Sequence, residues 1–174
     1  MKHILRTTAL TALLLAALPA AQAAVQTYSF SGVIETSNLN AYSGESFSGN
    51  FSFDDAAMLG TGLEIIGLTS LSWNLQSNVY TLANADSTPD VSYQDGHFLG
   101  LMYSSSPIIG PQVTLVPGST DTSDAYLTTY TATGAFGGNA SLVYLPVPEP
   151  ESYAMLIAGL GLISLVARRR SKHV

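Results

Sequence analysis

The chain of 174 residues allows one domain of ordinary size together with targeting segments. Its six lysines and arginines all lie near the two ends, so the stretch 24–147 contains none, against ten aspartates and glutamates. This acidic stretch excludes nucleic-acid binding, because affinity for phosphate backbones comes largely from cationic side chains. The sequence has no cysteine, which excludes disulfides, thiol catalysis and lipidation at a cysteine. The domain therefore has to be stabilised by apolar burial and backbone hydrogen bonds.

Residues 1–23 are predicted to be a signal peptide. Lys2 and Arg6 provide a positively charged start, and the apolar run 7–18 is too short to cross a bilayer. Small residues then form a cleavage site for signal peptidase, which comprises Ala21, Ala23 and Ala24. We expect cleavage before Ala24 and export of the rest of the chain.

Residues 24–146 are predicted to form an exported all-β domain, because their dominant pattern has period two. The alternation is clearest over 46–53, where Phe47, Phe51 and Phe53 share one face and serines and an asparagine occupy the other. Such a strand belongs to an antiparallel sheet with one face in water. Similar patterns predict strands over 71–75 and 112–116.

Asp95-Gly96 is the clearest turn signal, because Asp-Gly is favoured where a tight hairpin requires positive φ. The glycine-rich segment 134–139 is predicted to be a loop. About eight short strands with no long helical pattern in between predict an antiparallel β-sandwich or jelly roll.

Aspartates in the predicted loops are candidate calcium ligands, because Ca²⁺ prefers hard oxygen donors. They form two groups along the chain, namely Asp86, Asp90 and Asp95, and then Asp121 and Asp124. Neither group has the spacing of an EF-hand loop. The alternative interpretation is that these carboxylates are solvated and bind no metal, and we predict no resident metal or other cofactor.

No catalytic residues are predicted. The stretch 24–147 has one histidine, His97, directly after the hairpin turn, and a hydrolase with a G-x-S-x-G nucleophile motif is not indicated. A sugar-binding module is a second alternative, in which Trp73 and several tyrosines would stack on pyranose rings. However, Trp73 lies on the apolar side of its strand, which favours packing in the core.

The last segment, 147–174, contains three features in a fixed order. Pro148-Glu149-Pro150 comes first, and the two prolines keep Glu149 extended and accessible. The apolar stretch 153–167 follows, about 22 Å long as a helix at about 1.5 Å per residue. It is predicted to be a single transmembrane helix. The basic tail 168–174 includes Arg168, Arg169 and Arg170, which favour a cytoplasmic end and an exported acidic domain.

This tail resembles the PEP-CTERM sorting signal, which has a Pro-Glu-Pro head, a short hydrophobic helix and a basic tip. The resemblance implies processing by an exosortase, a membrane protease or transpeptidase of Gram-negative bacteria, often in species that make extracellular polysaccharide. It also implies that Pro148, Glu149 and Pro150 are recognised and that the arginines retain the tail.

The sequence therefore predicts an exported protein that is anchored in the inner membrane and sorted by an exosortase to the cell envelope or surface. We expect a non-enzymatic role in the envelope or extracellular matrix, in association with exopolysaccharide or biofilm. The expected processing partners are signal peptidase and exosortase. A calcium-binding or carbohydrate-binding module is the alternative, and a hydrolase is a more distant one.

Overall fold

The computed structural model describes residues 25–148, 153, 155–161 and 163–164. Within them the domain is built from antiparallel strands, which confirms the predicted all-β class. Ten strands follow one another along the chain: β1 (Val25–Val33), β2 (Ser46–Asp54), β3 (Leu63–Leu75), β4 (Asn78–Thr81), β5 (Asp90–Gln94), β6 (His97–Ser105), β7 (Gln112–Val116), β8 (Tyr126–Tyr130), β9 (Phe136–Ser141) and β10 (Val143–Pro146).

The strands form one continuous sheet in the order β10-β1-β2-β3-β5-β6-β7-β8-β9, and β4 pairs with β3 beside this path. This differs from the expected sandwich or jelly roll of about eight strands. The physical reason is the length of β3, which was expected only over 71–75. Its first half pairs with β5 and its second half pairs with β2 and β4, so one strand carries the sheet around a bend.

The sheet curls until its two ends meet. The segment that follows β1 completes the ring, because the Glu35 amide donates to the Asn139 carbonyl in β9 at 2.8 Å. The Tyr42 amide likewise donates to the Gly137 carbonyl at 2.9 Å. This arrangement encloses one apolar core inside the curled sheet.

Aromatic rings fill this core, and glycines in the strands make room for them. Phe30, Gly49, Trp73 and Tyr80 face one another across four neighbouring strands. The Phe30 and Trp73 rings have centroids 5.9 Å apart, and Trp73 stacks on Tyr80 at 4.4 Å. A Cβ atom at Gly49 would lie 2.0 Å from the Cβ of Trp73, so this row accepts no side chain at that position.

The predicted hairpin between β5 and β6 is confirmed. Asp95 has φ of 50° and Gly96 has φ of 79°, the two left-handed conformations that a tight turn of this kind requires. The Asp95 carboxylate accepts a hydrogen bond from the Gly62 amide at 2.7 Å and so ties the turn to the loop before β3.

Gly49→Ala is predicted to lower the free energy of unfolding by about 1–3 kcal/mol, because the added methyl group collides with Trp73. Urea unfolding followed by tryptophan fluorescence measures the change. Gly67→Ala in β3 is the matched control, since a Cβ there meets nothing within 4 Å. The control should shift stability by no more than about 0.5 kcal/mol. Equal effects of the two substitutions would contradict the proposed close packing.

Alkaline conditions are predicted to destabilise the fold through its buried phenols. Burial raises the pKa of Tyr80, Tyr93 and Tyr103 above the usual value, so the folded state keeps protons that the unfolded state loses above about pH 10. The contribution of these phenols to the free energy of unfolding should therefore be constant below that pH and fall above it, by up to about 1.4 kcal/mol per pH unit for each phenol.

The stretch 24–147 lacks lysine and arginine, so these phenols should dominate the alkaline transition. Urea unfolding at a series of pH values, with phenolate absorbance recorded in parallel, measures the slope. Tyr93→Phe should make the slope shallower. A slope that Tyr93→Phe leaves unchanged would show that this phenol is not responsible.

Candidate functional site

The strand β10 connects the folded domain directly to the predicted sorting tail. It pairs with β1, with Pro146 opposite Tyr28 and Val143 opposite Ser31. The Val147 amide extends this pairing by donating to the Thr27 carbonyl at 2.8 Å. Pro148 follows and is exposed. No linker separates the last strand from the proline motif.

The first and last residues of the domain lie close together, because the start of β1 is next to the end of β10. The strand β1 begins at Val25, only two residues before the Thr27 carbonyl that accepts from Val147. The predicted signal-peptide cleavage site and the predicted sorting motif therefore connect to neighbouring points of the fold.

Several residues predicted from the sequence lie outside the described part of the structure. These are Ala21, Ala23 and Ala24 at the signal-peptide site, Glu149 and Pro150 of the proline motif, and Arg168, Arg169 and Arg170 of the basic tip. Within the predicted transmembrane segment 153–167, residues 153, 155–161 and 163–164 are helical. The described residues include no helix with both the length and the apolar character needed to cross a membrane.

The candidate calcium ligands accept hydrogen bonds from nearby loops. The Asp86 carboxylate accepts from the amide and hydroxyl of Ser106, at 3.1 and 2.9 Å. The Asp124 carboxylate accepts from the amide of Ser119 at 3.1 Å and from its hydroxyl. Asp121 caps the 3₁₀ turn at Thr122–Asp124, where it accepts from the Ser123 amide at 2.7 Å.

Electrostatics agree with this role of the carboxylates as loop acceptors. A hydrogen bond from the side chain of Gln94 and another from the Gly62 amide lower the pKa of Asp95. Hydrogen bonds from Ser123 lower the pKa of Asp121, and those from Ser119 lower the pKa of Asp124. Asp90 differs, because partial burial on β5 raises its pKa. Among the described residues, no three acidic or histidine side chains converge as a metal site would require.

His97 and Trp73 also have clear positions in the fold. His97 is the exposed first residue of β6. Trp73 is 2% exposed and lies in the core, as its alternation predicted, so it is not available for stacking on a sugar.

The structure also contains a surface patch that the sequence analysis did not predict. The outer side of β8 and β9 presents Tyr126, Thr128, Tyr130, Phe136 and Asn139, which we call the aromatic face. Tyr126 is 43% exposed, and Tyr130 and Phe136 are each 41% exposed. Phe136 fell in the expected loop 134–139, so its pairing with Tyr130 required a register that the sequence pattern did not provide.

The aromatic face is a shallow depression of about 480 Å³. Tyr130 and Phe136 lie opposite each other in the register, and their rings meet edge to face with centroids 5.9 Å apart. The Thr128 hydroxyl donates to the Asn139 amide oxygen at 2.9 Å between the two tyrosines. Glu35 lines the rim of this depression. These exposed rings and the polar groups between them form a candidate binding surface.

Comparison with known proteins bears on the C-terminal segment of the chain. No curated protein and no solved structure is similar to the chain. Residues 146–170 match the PEP-CTERM protein-sorting motif. The match starts at the last residue of β10 and includes the proline motif, the apolar segment and the arginines. The resemblance seen in the sequence is therefore confirmed: the chain carries a PEP-CTERM sorting motif at residues 146–170, which implies export, exosortase processing and sorting to the cell surface.

Proposed function

We propose that this protein is a non-enzymatic component of the cell envelope or extracellular matrix of a Gram-negative bacterium. A signal peptide directs its export and is removed before Ala24, and an exosortase then processes the tail at the Pro-Glu-Pro region. The sorting motif at residues 146–170 is the observation that carries this proposal. Association with exopolysaccharide or biofilm is the role that this route favours.

Until it is processed, the protein is held in the inner membrane by the apolar segment 153–167. Arg168, Arg169 and Arg170 remain in the cytoplasm, since cationic residues next to a membrane segment favour that side. The acidic domain lies outside. Its lack of lysine and arginine over 24–147 supports this orientation, because it has no positive charge that would favour retention.

The position of the motif in the fold supports processing of a folded substrate. Val147 is still hydrogen-bonded to β1, and exposed Pro148 is the next residue. The pairing with β1 therefore reaches the residue before the motif, and the first residue of the motif is exposed. An enzyme that recognises the motif would act directly beside the end of β10.

The histidine of the domain and three of its aspartates have defined positions in the described part of the fold. The one histidine of the domain is exposed beside a turn, and the carboxylates of Asp86, Asp121 and Asp124 are engaged as acceptors in their own loops. A general base requires a partner group at hydrogen-bond distance and a place for substrate, whereas these three carboxylates are hydrogen-bonded within their own loops.

The double substitution Pro148→Ala/Pro150→Ala is predicted to block processing of the tail. Alanines free the backbone around Glu149 to become helical, so the extended strip that the enzyme needs is lost. Intact-mass spectrometry of the protein from an exosortase-positive host measures the outcome. The natural chain should begin at Ala24 and lack the segment after the motif, whereas the variant should begin at Ala24 and retain it.

Pro107→Ala provides the control, because this proline lies between β6 and β7, outside the matched residues 146–170. Its product should differ from that of the natural chain only by the mass of the substitution. Removal of the tail from the double variant at the natural rate would refute recognition of the two prolines. Retention of the tail in the natural protein would refute exosortase processing in that host.

A further inference from the structure

We propose that the aromatic face binds an uncharged polysaccharide. The proposal concerns a binding activity of the domain that is separate from its sorting. It rests on three properties of the outer surface of β7, β8 and β9: exposed rings, a row of neutral hydrogen-bonding groups between them, and the lack of cations.

The rings have the exposure and placement that stacking on sugars requires. Tyr126 and Tyr130 are on the same side of β8, four residues apart, so their positions are separated by about 14 Å at about 3.4 Å per residue. Phe136 widens the Tyr130 end through its edge-to-face contact. Aromatic rings offer flat apolar faces to the C–H groups of a pyranose, and two platforms this far apart suit a chain of several sugars rather than a single one.

A polar row lies between the two ring platforms. Thr114 on β7, Thr128 on β8 and Asn139 on β9 face one another in the register. Because the Thr128 hydroxyl donates to the amide oxygen of Asn139, the Asn139 amide nitrogen points its donors elsewhere, and no group of the described residues accepts from it. Gln112, opposite Tyr130, adds another amide at the edge. Such groups donate to and accept from sugar hydroxyls.

The charge of the domain favours an uncharged polymer over an anionic one. The stretch 24–147 has no lysine or arginine to neutralise a uronate, sulfate or phosphate, and it carries ten acidic residues. Glu35 at the rim would repel an anionic chain but can accept hydrogen bonds from sugar hydroxyls. The volume of about 480 Å³ is within the range of small-ligand sites, and its shallow shape suits a polymer lying along the sheet.

Affinity electrophoresis of the full chain in a zwitterionic detergent tests the proposal, because detergents with sugar head groups would compete. The native gels contain laminarin, galactomannan, hydroxyethyl cellulose or dextran, and a further gel contains alginate as the anionic probe. We expect at least one neutral polymer to retard the protein and alginate to leave its mobility unchanged. Tyr126→Ala/Tyr130→Ala should weaken that retardation at least about tenfold, which equals about 1.4 kcal/mol.

Matched variants separate binding from folding. Leu63→Ala/Ile65→Ala removes two exposed apolar side chains from β3, away from the aromatic face, and should retain full binding. Tyr130→Phe keeps the ring and should bind within about twofold of the natural chain, which is well below the 1.4 kcal/mol of a tenfold loss. If the double tyrosine variant has a lowered urea midpoint, the single substitution Tyr126→Ala is used instead, because no other ring of the described residues packs on Tyr126.

Three results would overturn the proposal. The first is that none of the four neutral polymers retards the natural chain. The second is retardation that the tyrosine substitutions leave unchanged. The third is a concentration-dependent dimer that the same substitutions abolish while no polymer binds, because the face would then be a contact between two copies of the chain. Each result leaves processing of the tail, read by mass spectrometry, unaffected.

Discussion

Trp73 can cross the inner side of the sheet only because Gly49 has no side chain, and this close approach organises the domain. It lets Phe30 and Tyr80 pack on either side of the indole and join four strands into one apolar row. Gly32 makes the same allowance for Phe47, whose ring would lie 2.5 Å from a Cβ atom at that position. A domain with no disulfide and with no lysine or arginine depends on such packing, because hydrophobic burial and backbone pairing are the main sources of stability left to it. The indole Nε1 has no hydrogen-bond partner among the described residues, a cost that the surrounding packing has to offset.

The sequence pattern predicted strands well where alternation and burial agree. The expected strand over 112–116 coincides with β7, and that over 46–53 falls one residue short of the end of β2. It failed in the first half of β3, because Leu63 and Ile65 are apolar yet exposed and so the alternation is hidden. It also failed at β9, where glycines suggested a loop. Gly138 is instead required for contact, since a Cβ atom there would lie 2.4 Å from Ile34. Composition indicates where chain can bend, but not where two segments approach closely.

The two functional regions differ in the same way. The sorting motif is contiguous, so residues 146–170 could be recognised without any knowledge of the fold. The aromatic face combines side chains from strands separated by a turn, and only the register places Tyr130 against Phe136 and Thr128 against Asn139. The candidate calcium ligands show the converse: Asp121 and Asp124 are close along the chain, but each carboxylate turns to its own loop amide. Proximity in sequence was informative only for the sorting motif, which is a contiguous segment of the chain.

The pairing of β10 with β1 has a consequence for the order of events during export. The first strand of the domain emerges long before its last partner, so the edge of β1 at Tyr28–Ser31 stays open until Val143–Pro146 has followed. An open strand edge invites pairing with other chains. Completion of the sheet and arrival of the sorting signal are thus nearly simultaneous, because the signal begins where the sheet ends. A prematurely terminated chain would lack both β10 and the sorting signal. It would therefore have an open sheet edge and could not be sorted.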